Sequence, residues 1–382
     1  MKFIKYCIPA LIVLTCACKG KKIEQPDSTH IETISVDTSQ KKIDYKQLFS
    51  TWKIVPLQTS RNSLIGAISR MYSFNGRYYV LDKKTSSVLI FKNDGVFIDK
   101  IQASGYGPGE YTDLMDFCIN EQNKQLILYS HRPYKLLTYD LDGHFLEERR
   151  LKELYDNIAY DNGRILFMNS RYSRGNLLLS KDLNNKNEKD FLRPNPSSKL
   201  FQNFRLITPN VIKSRSINIT FPYSDTIYNY HNDSLSARYV INFKNKVPVN
   251  LVKTAKDPFF VYKNVITNNY GLAITNFKET KDFVYFSYGP NILVFYSKKD
   301  KATKTFKFIV NNDEHIEFGQ FFAHDGDDND VTSIYPSYRF KSIMSAYKKN
   351  RTTWAQVPQK LKDIDAASSA DSNPLLIIYT LK

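Results

Sequence analysis

Cysteine is nearly missing from this chain beyond its first eighteen residues: three of the four lie there, and only Cys118 falls in the body. The body therefore holds no internal disulfide, and its stability rests on a hydrophobic core, as a body of this length permits. Cys118 sits in the apolar stretch DFCIN, the setting of a buried thiol and not of a reactive one. Histidine is sparse and scattered (His30, His131, His144, His231, His315 and His324), with no HExxH and no closely spaced metal pair. No G-x-S-x-G elbow occurs either. Hydrolase chemistry thus has no visible residue set. The formal net charge is +16, yet the basic residues are dispersed, and Arg149-Arg150 and Lys298-Lys299 are only short clusters. Dispersed charge gives no nucleic-acid track, so no nucleic-acid partner is expected. What the chain has in quantity is aromatic residues, 26 Tyr and 25 Phe, in short alternating runs with β-branched residues. That is the composition of strands.

The start reads MKFIKYCIPALIVLTCAC. Lys2 and Lys5 precede the apolar run Ile8 to Thr15, and small residues and cysteine follow. This is the layout of an export signal, too short to span a bilayer. Its end resembles the lipobox of bacterial lipoproteins. The resemblance implies a signal over residues 1–17 and acylation of Cys18, which follows the small Ala17; Cys16, after Thr15, is the rival. Several acyl chains would hold the protein firmly at a membrane lipid surface. Residues 18–42 are polar and without apolar periodicity, and read as a flexible, lipid-anchored tether.

The body, residues 43–382, carries an internal repeat. YYVLDKKTSSVLIFKNDGVFIDKI (78–101) aligns with LILYSHRPYKLLTYDLDGHFLEERRL (126–151) at an offset of 48 residues, with Asp94-Gly95 on Asp142-Gly143. Each unit reads as strand, turn, strand, tight Asp-Gly hairpin, strand. A period of 40 to 50 residues with about four strands each is the mark of a β-propeller, whose stacked sheets bury faces that one sheet cannot. Worn copies follow at 163–183, 217–243 and 283–309. About six units result, with LLIIYTLK at the end or WKIVPLQT at the start supplying the strand that closes the ring. Residues 340–373 break the strand pattern with helical spacing and read as a partly helical insertion in the last blade.

Residues 55–114 contain PLQT, SLIG, YYVLD, FKNDG and GYGPGEY in that order. This resembles the six-bladed, NHL-like β-propeller lipoproteins of Bacteroidota. In that family Gln58 is more often Glu; SDTIY at 224–228 and NPLL at 373–376 extend the likeness toward the end of the chain. The resemblance implies an all-β, six-bladed fold and a cell-envelope location. It implies no reaction, because members share no established one. Lys-Gly-Lys-Lys at 19–22 lacks the acidic run of a surface-export signal, which favours the periplasmic face of the outer membrane over surface exposure.

Two candidate sites follow. The loop Gly105, Gly107, Pro108, Gly109, Glu110, Tyr111 is the most unusual local sequence. It lacks the helix context of a nucleotide loop and reads foremost as a tight connection between blades, with Glu110 accepting backbone N–H bonds, and secondarily as a ligand contact. The run DGDDND reads as an exposed acidic loop in which Asp325, Asp327, Asp328 and Asp330 are weak Ca²⁺ candidates, since the closing Glu of a calcium loop is missing. Asp82, Asp116 and Asp225 are acidic residues at strand or turn positions that spacing does not link. No cofactor is expected. The expected function is a non-catalytic envelope propeller that binds or scaffolds a glycan, peptide or envelope protein. The alternative is a metal-assisted hydrolase or lactonase-like enzyme on a carbohydrate-derived substrate, which would need several acidic, Asn or His side chains converging at the channel.

Overall fold

The computed structural model describes residues 23–24, 26–28, 30–37, 40–169, 175–184, 186–193, 210–221, 224–289, 292–311, 316–318, 322–326 and 329–382. The alternating runs form antiparallel strands gathered in six sheets, the blades of one β-propeller. Blade 1 comprises Arg70–Phe74, Arg77–Asp82, Ser87–Lys92 and Phe97–Ile101, from axis to rim. Blade 2 comprises Asp113–Asn120, Gln125–Arg132, Tyr134–Asp140 and Phe145–Arg150. Blade 3 begins with Asn157–Asp161, blade 4 with Val211–Lys213 and blade 5 with Thr275–Glu279. Blade 6 is built from both ends of the chain: Asp330–Tyr335 pairs with Leu375–Leu381, which pairs with Phe49–Pro56. The stretch 322–325 lies inside it, Phe322 bridging Thr332 and Asp325 bridging Tyr72 of blade 1. Both terminal strands named from the sequence therefore take part in closing the ring.

The middle strands are apolar on both faces because each sheet is covered on both sides. Ser87–Lys92 is buried at every position but the last. Each seam between neighbours holds its own apolar cluster, for example Tyr79, Leu81 and Ile90 of blade 1 against Leu114, Phe117 and Leu128 of blade 2. The closing seam packs Val55, Leu376 and Ile378 of blade 6 on Val80, Leu89 and Phe91 of blade 1. Burial of one such side chain stabilises by about 1.5–3 kcal/mol.

Within a blade, the turns after the first and third strands lie at one end of the ring, here the hairpin end. The second-to-third connections and the blade-to-blade crossings lie at the other, the loop end. Asn75-Gly76, Asn162-Gly163 and Asn232-Asp233 are two-residue hairpins with positive φ at both positions, as their type requires. Asp94-Gly95 and Asp142-Gly143 differ from the two-residue expectation. Lys92 pairs with Val96 and Asp140 with His144, so each loop has three residues and its glycine, at φ 92° and 96°, forms the bulge.

One further departure concerns extent. The stretch read as a flexible tether contains three strands among its described residues. Ile23–Glu24 pairs with the rim of blade 3, Glu32–Val36 with blade 4 and Gln40–Asp44 with blade 5, each parallel to its neighbour. Sequence polarity hid this, because a rim strand exposes one face and one edge and needs few apolar residues; Ile34, Val36 and Ile43 suffice, all buried. Between blades 4 and 5 lie helices α1 (Val249–Thr254) and α2 (Pro258–Asn268), outside the strand repeat. Asp257 caps α2 by accepting from the Phe259 N–H, Pro258 opens it and Asn269 ends it at φ 52°. The late insertion is helical as expected: α3 (Ser337–Lys348), α4 (Arg351–Gln356) and α5 (Gln359–Ala367) connect the second and third strands of blade 6. Phe340, Met344, Leu361 and Ile364 join the core of the blade 5–blade 6 seam.

Candidate functional site

The inner strands bring a buried charged cluster to the axis. Arg70, the first residue of blade 1, projects its guanidinium across the ring. Nε and Nη2 donate to Asp325 Oδ2 and Oδ1, each at 2.7 Å. Nη1 donates to Asp116 Oδ2 of blade 2 at 2.8 Å and to the Ile158 carbonyl of blade 3 at 2.9 Å. Nη2 also donates to the Val211 carbonyl of blade 4 at 3.1 Å. All five guanidinium donors are thus used, and one side chain ties together five blades. Arg70 and Asp116 are 1% exposed and Asp325 0%. Burial works against the charge on Arg70, but the Asp116 and Asp325 carboxylates outweigh it and lift its proton affinity well above the ordinary guanidinium.

The carboxylates are themselves held by backbone. Asp116 Oδ2 accepts from the Ile158 N–H at 2.8 Å and from Asn157 Nδ2 at 3.0 Å, and Asp325 Oδ1 accepts from the Lys213 N–H at 2.7 Å. Asp116 Oδ1 is buried without a hydrogen-bond partner. Blade 5 reaches the same level through Lys278, fully buried, whose Nζ lies 3.3 Å from His324 Nε2. Burial pushes the Cys118 thiol well above its usual range, the Arg70 charge pulling the other way.

The glycine-rich loop lies at the loop end between blades 1 and 2. Glu110 Oε2 accepts from the Gly107 N–H at 2.9 Å, and a Cβ at Gly105 (φ +154°) would collide with that carboxylate. The Gly109 N–H donates to Glu148 at 2.7 Å, Lys135 bridges Glu148 and the Gly107 carbonyl, and the buried Tyr111 hydroxyl donates to the Ile101 carbonyl. Pro108 sits inside this frame. The loop is riveted to blade 2, and of its residues Tyr106 is strongly exposed, at 75%.

The acidic run is not one exposed loop. Asp325 is the axial carboxylate, Asp330 Oδ1 accepts from the Thr380 hydroxyl at 2.7 Å, and Asp327 and Asp328 lie outside the described residues, as do Cys16 and Cys18. Asp82 is a turn anchor, accepting from the N–H groups of Gly66 and Lys84 at 2.7 and 2.9 Å. Asp225 pairs with Lys246. Among the described residues no three His, Cys, Asp or Glu side chains are placed to hold a metal ion.

Sequence reading missed Arg70. Its partners lie 46, 88, 141 and 255 residues away, and the only signal was an arginine heading the otherwise apolar-aromatic strand RMYSF. It also missed Asn373. That buried side chain donates to the carbonyls of Gln58 and Ser63 at 2.9 and 2.7 Å and accepts from the Ile65 N–H at 2.9 Å, clasping the last blade to the crossing into the first.

Six blades around a filled axis, closed by strands from both ends of the chain, define a six-bladed β-propeller. The chain belongs to the family described as a domain of unknown function, DUF4934, whose model matches residues 31–380. A Bacteroides fragilis NCTC 9343 protein described as exported has a similar structure, with a TM-score of 0.72 at 16% identity over 92% of this chain and 100% of that one. A member of the duf4221 family from Bacteroides vulgatus ATCC 8482 gives a TM-score of 0.47 at 11% identity, over 88% and 97% of the two chains, too low to carry an argument. The first likeness is one of fold. Comparison with curated proteins returned no match. Among the described residues no helix is long and apolar enough to cross a membrane.

Proposed function

We propose that this chain is a non-catalytic, NHL-like propeller of the cell envelope, lipid-anchored at Cys18 and facing the periplasm, that binds or scaffolds a glycan, peptide or partner protein at its loop end. The observation that carries the reading is the occupied axis. Arg70, Asp116 and Asp325 are sealed from solvent and spend their donors and charge on one another and on backbone. A channel enzyme needs a group that can touch substrate. Here the guanidinium takes the carboxylates that a metal would need.

The loop end, by contrast, is rich in exposed apolar side chains. Leu64, Tyr106, Val249, Phe259, Phe260 and Tyr338 all stand on its connections, with Phe259 at 68% and Tyr338 at 60% exposure. Aromatic side chains presented this way suit sugar rings or apolar peptide side chains. The exported Bacteroides relative and the start of the chain support the envelope location.

The test is a glycan-array and peptide-library screen of the full-length chain beside its Phe259→Ser/Phe260→Ser variant. A ligand bound by the first and lost by the second is expected. Turnover of a lactone or ester panel, abolished by Asp116→Asn, would overturn the reading.

A further inference from the structure

The rims of the blades are not alike. Blades 3, 4 and 5 each carry an added strand from the early part of the chain, and Phe49–Pro56 is itself the outer strand of blade 6. On blade 1 the Gln58 side chain accepts from the Phe97 N–H, and the Gln58 N–H donates to the Gly95 carbonyl. Blade 2 differs. Its outer strand, Phe145–Arg150, ends the sheet, and among the described residues no strand pairs with its outer edge. An open edge of this kind accepts another extended chain unless its side chains prevent it.

The backbone direction of that strand follows from its inner partner. The Leu151 N–H donates to the Tyr134 carbonyl at 2.8 Å. Strand alternation then turns the backbone groups of Glu147 and Arg149 inward, to Thr138 and Leu136, and those of Glu148 and Arg150 outward. The side chains along the edge run acid, acid, base, base, from Glu147 to Arg150. Like charges throughout would repel a second copy, but this order is its own complement when reversed. An identical strand laid antiparallel, with Glu148 opposite Glu148, sets the Glu147 of each copy against the Arg149 of the other. Those positions form the pairs without mutual hydrogen bonds, where side chains come closest. Glu147 and Arg149 are 53% and 32% exposed and bond each other at 2.6 Å within the strand. The pairing therefore completes a square of four alternating charges. The two Glu148 carboxylates do not oppose it, because each is held in its own chain by Lys135 Nζ and the Gly109 N–H, both at 2.7 Å. A shift to the next register, with Glu148 opposite Arg150, would set Arg149 on Arg149.

We propose that this edge is a homodimer interface. The outer strand of blade 2 pairs antiparallel with the same strand of a second copy, about a twofold axis at Glu148, and joins two four-stranded blades in one continuous sheet. The contact is isologous, as a closed dimer requires. Leu146 and Tyr134, 48% and 42% exposed, supply apolar surface near the two ends of the strand. The contact uses the rim alone and leaves the loop end, with Phe259 and Phe260, open.

Disulfide trapping on the full-length chain in nonionic micelles tests the register. A Glu147→Cys chain mixed with an Arg149→Cys chain should cross-link on mild oxidation at least about tenfold more than either chain alone or the wild type, because opposed positions lie within disulfide reach and a position and its own twin do not. Sedimentation of the wild type should show the mass rising toward a dimer with concentration. Glu147→Arg should be monomeric, and Glu147→Arg/Arg149→Glu, which reverses both charges and keeps the complement, should recover the dimer. A wild type that stays monomeric, a dimer that Glu147→Arg leaves intact, or equal cross-linking in the mixture and in the single chains overturns the proposal. None of these outcomes touches the loop-end reading, which is tested at Phe259 and Phe260.

Discussion

Arg70 and Asp325, 255 residues apart, meet at the propeller axis in a double hydrogen bond with both N–O distances at 2.7 Å. One residue opens the first blade and the other lies in the innermost stretch of the last, so the pair can form only when the ring has closed. Removing one member of a buried ion pair strands its partners, at about 3–5 kcal/mol, whereas replacing the whole cluster with neutral residues is far milder. Arg70→Met should therefore lose about 3–5 kcal/mol in urea unfolding, and Arg70→Met/Asp116→Asn/Asp325→Asn should recover part of it. A single-variant loss under 1 kcal/mol would show that the axis is not a structural hub.

Gly95 and Gly76 separate strain from collision. Both have positive φ, but a Cβ at Gly76 meets nothing within 4 Å, whereas one at Gly95 runs into the Pro56 carbonyl oxygen of blade 6. Gly76→Ala should cost about 1–2 kcal/mol, the left-handed penalty alone. Gly95→Ala should cost more, because the closing seam must shift. Equal losses in thermal unfolding would contradict this.

Asp365 ties the helical insertion together, 2.7 Å from Lys341 Nζ and 2.5 Å from Lys348 Nζ. Burial would raise its pKa, but the hydrogen bonds from Lys341 and Lys348 outweigh this and hold it below the usual carboxylate value. The folded pKa then lies below the unfolded value of about 3.9. The stabilisation is present above about pH 4 and is lost as pH falls through the folded value. Asp365→Asn should lower stability by about 1–3 kcal/mol at pH 7, with the gap from wild type closing toward pH 3. A gap that widens on acidification would refute the assignment.

Cys118, 1% exposed with its thiol pKa raised by burial, should resist a thiol reagent in the native protein and react on denaturation. Native labelling at the rate of a free thiol would show that the blade 2–blade 3 seam opens.

Metabolic labelling with a fatty-acid probe examines the anchor. Wild type and Cys16→Ser should carry label, and Cys18→Ser should not. Label that survives Cys18→Ser and disappears with Cys16→Ser would move the attachment.

Much of the blade pattern was legible because its causes are local. Asp-Gly turns, strand alternation and the 48-residue repeat lie within a few dozen residues of one another. The family-like motifs were legible as text but not as contacts. The Gly66 N–H meets Asp82 and the Phe97 N–H meets the Gln58 side chain at 2.9 Å, which makes SLIG, YYVLD and PLQT parts of one closing joint. A glutamate at position 58 could accept the same bond. The rim strands at 23–44 were illegible because pairing to a finished edge asks for backbone more than for side-chain pattern. Helix α2 was different: Asp257, Pro258 and Asn269 stand where a helix's ends want them, a local signal that sequence reading left unused.

By itself the sequence determined the all-β class, the repeat of about six blades, the closing strands at both ends and the late helical insertion, since each follows from periodicity and turn chemistry. Only the tertiary structure decided that the axis is filled by Arg70, that Asp325 is a buried partner and not a loop residue, and that the described part of the supposed tether supplies rim strands. Those facts depend on which residues a closed ring makes neighbours. Charge in a buried cluster is set by partners from five blades, and no local pattern records them.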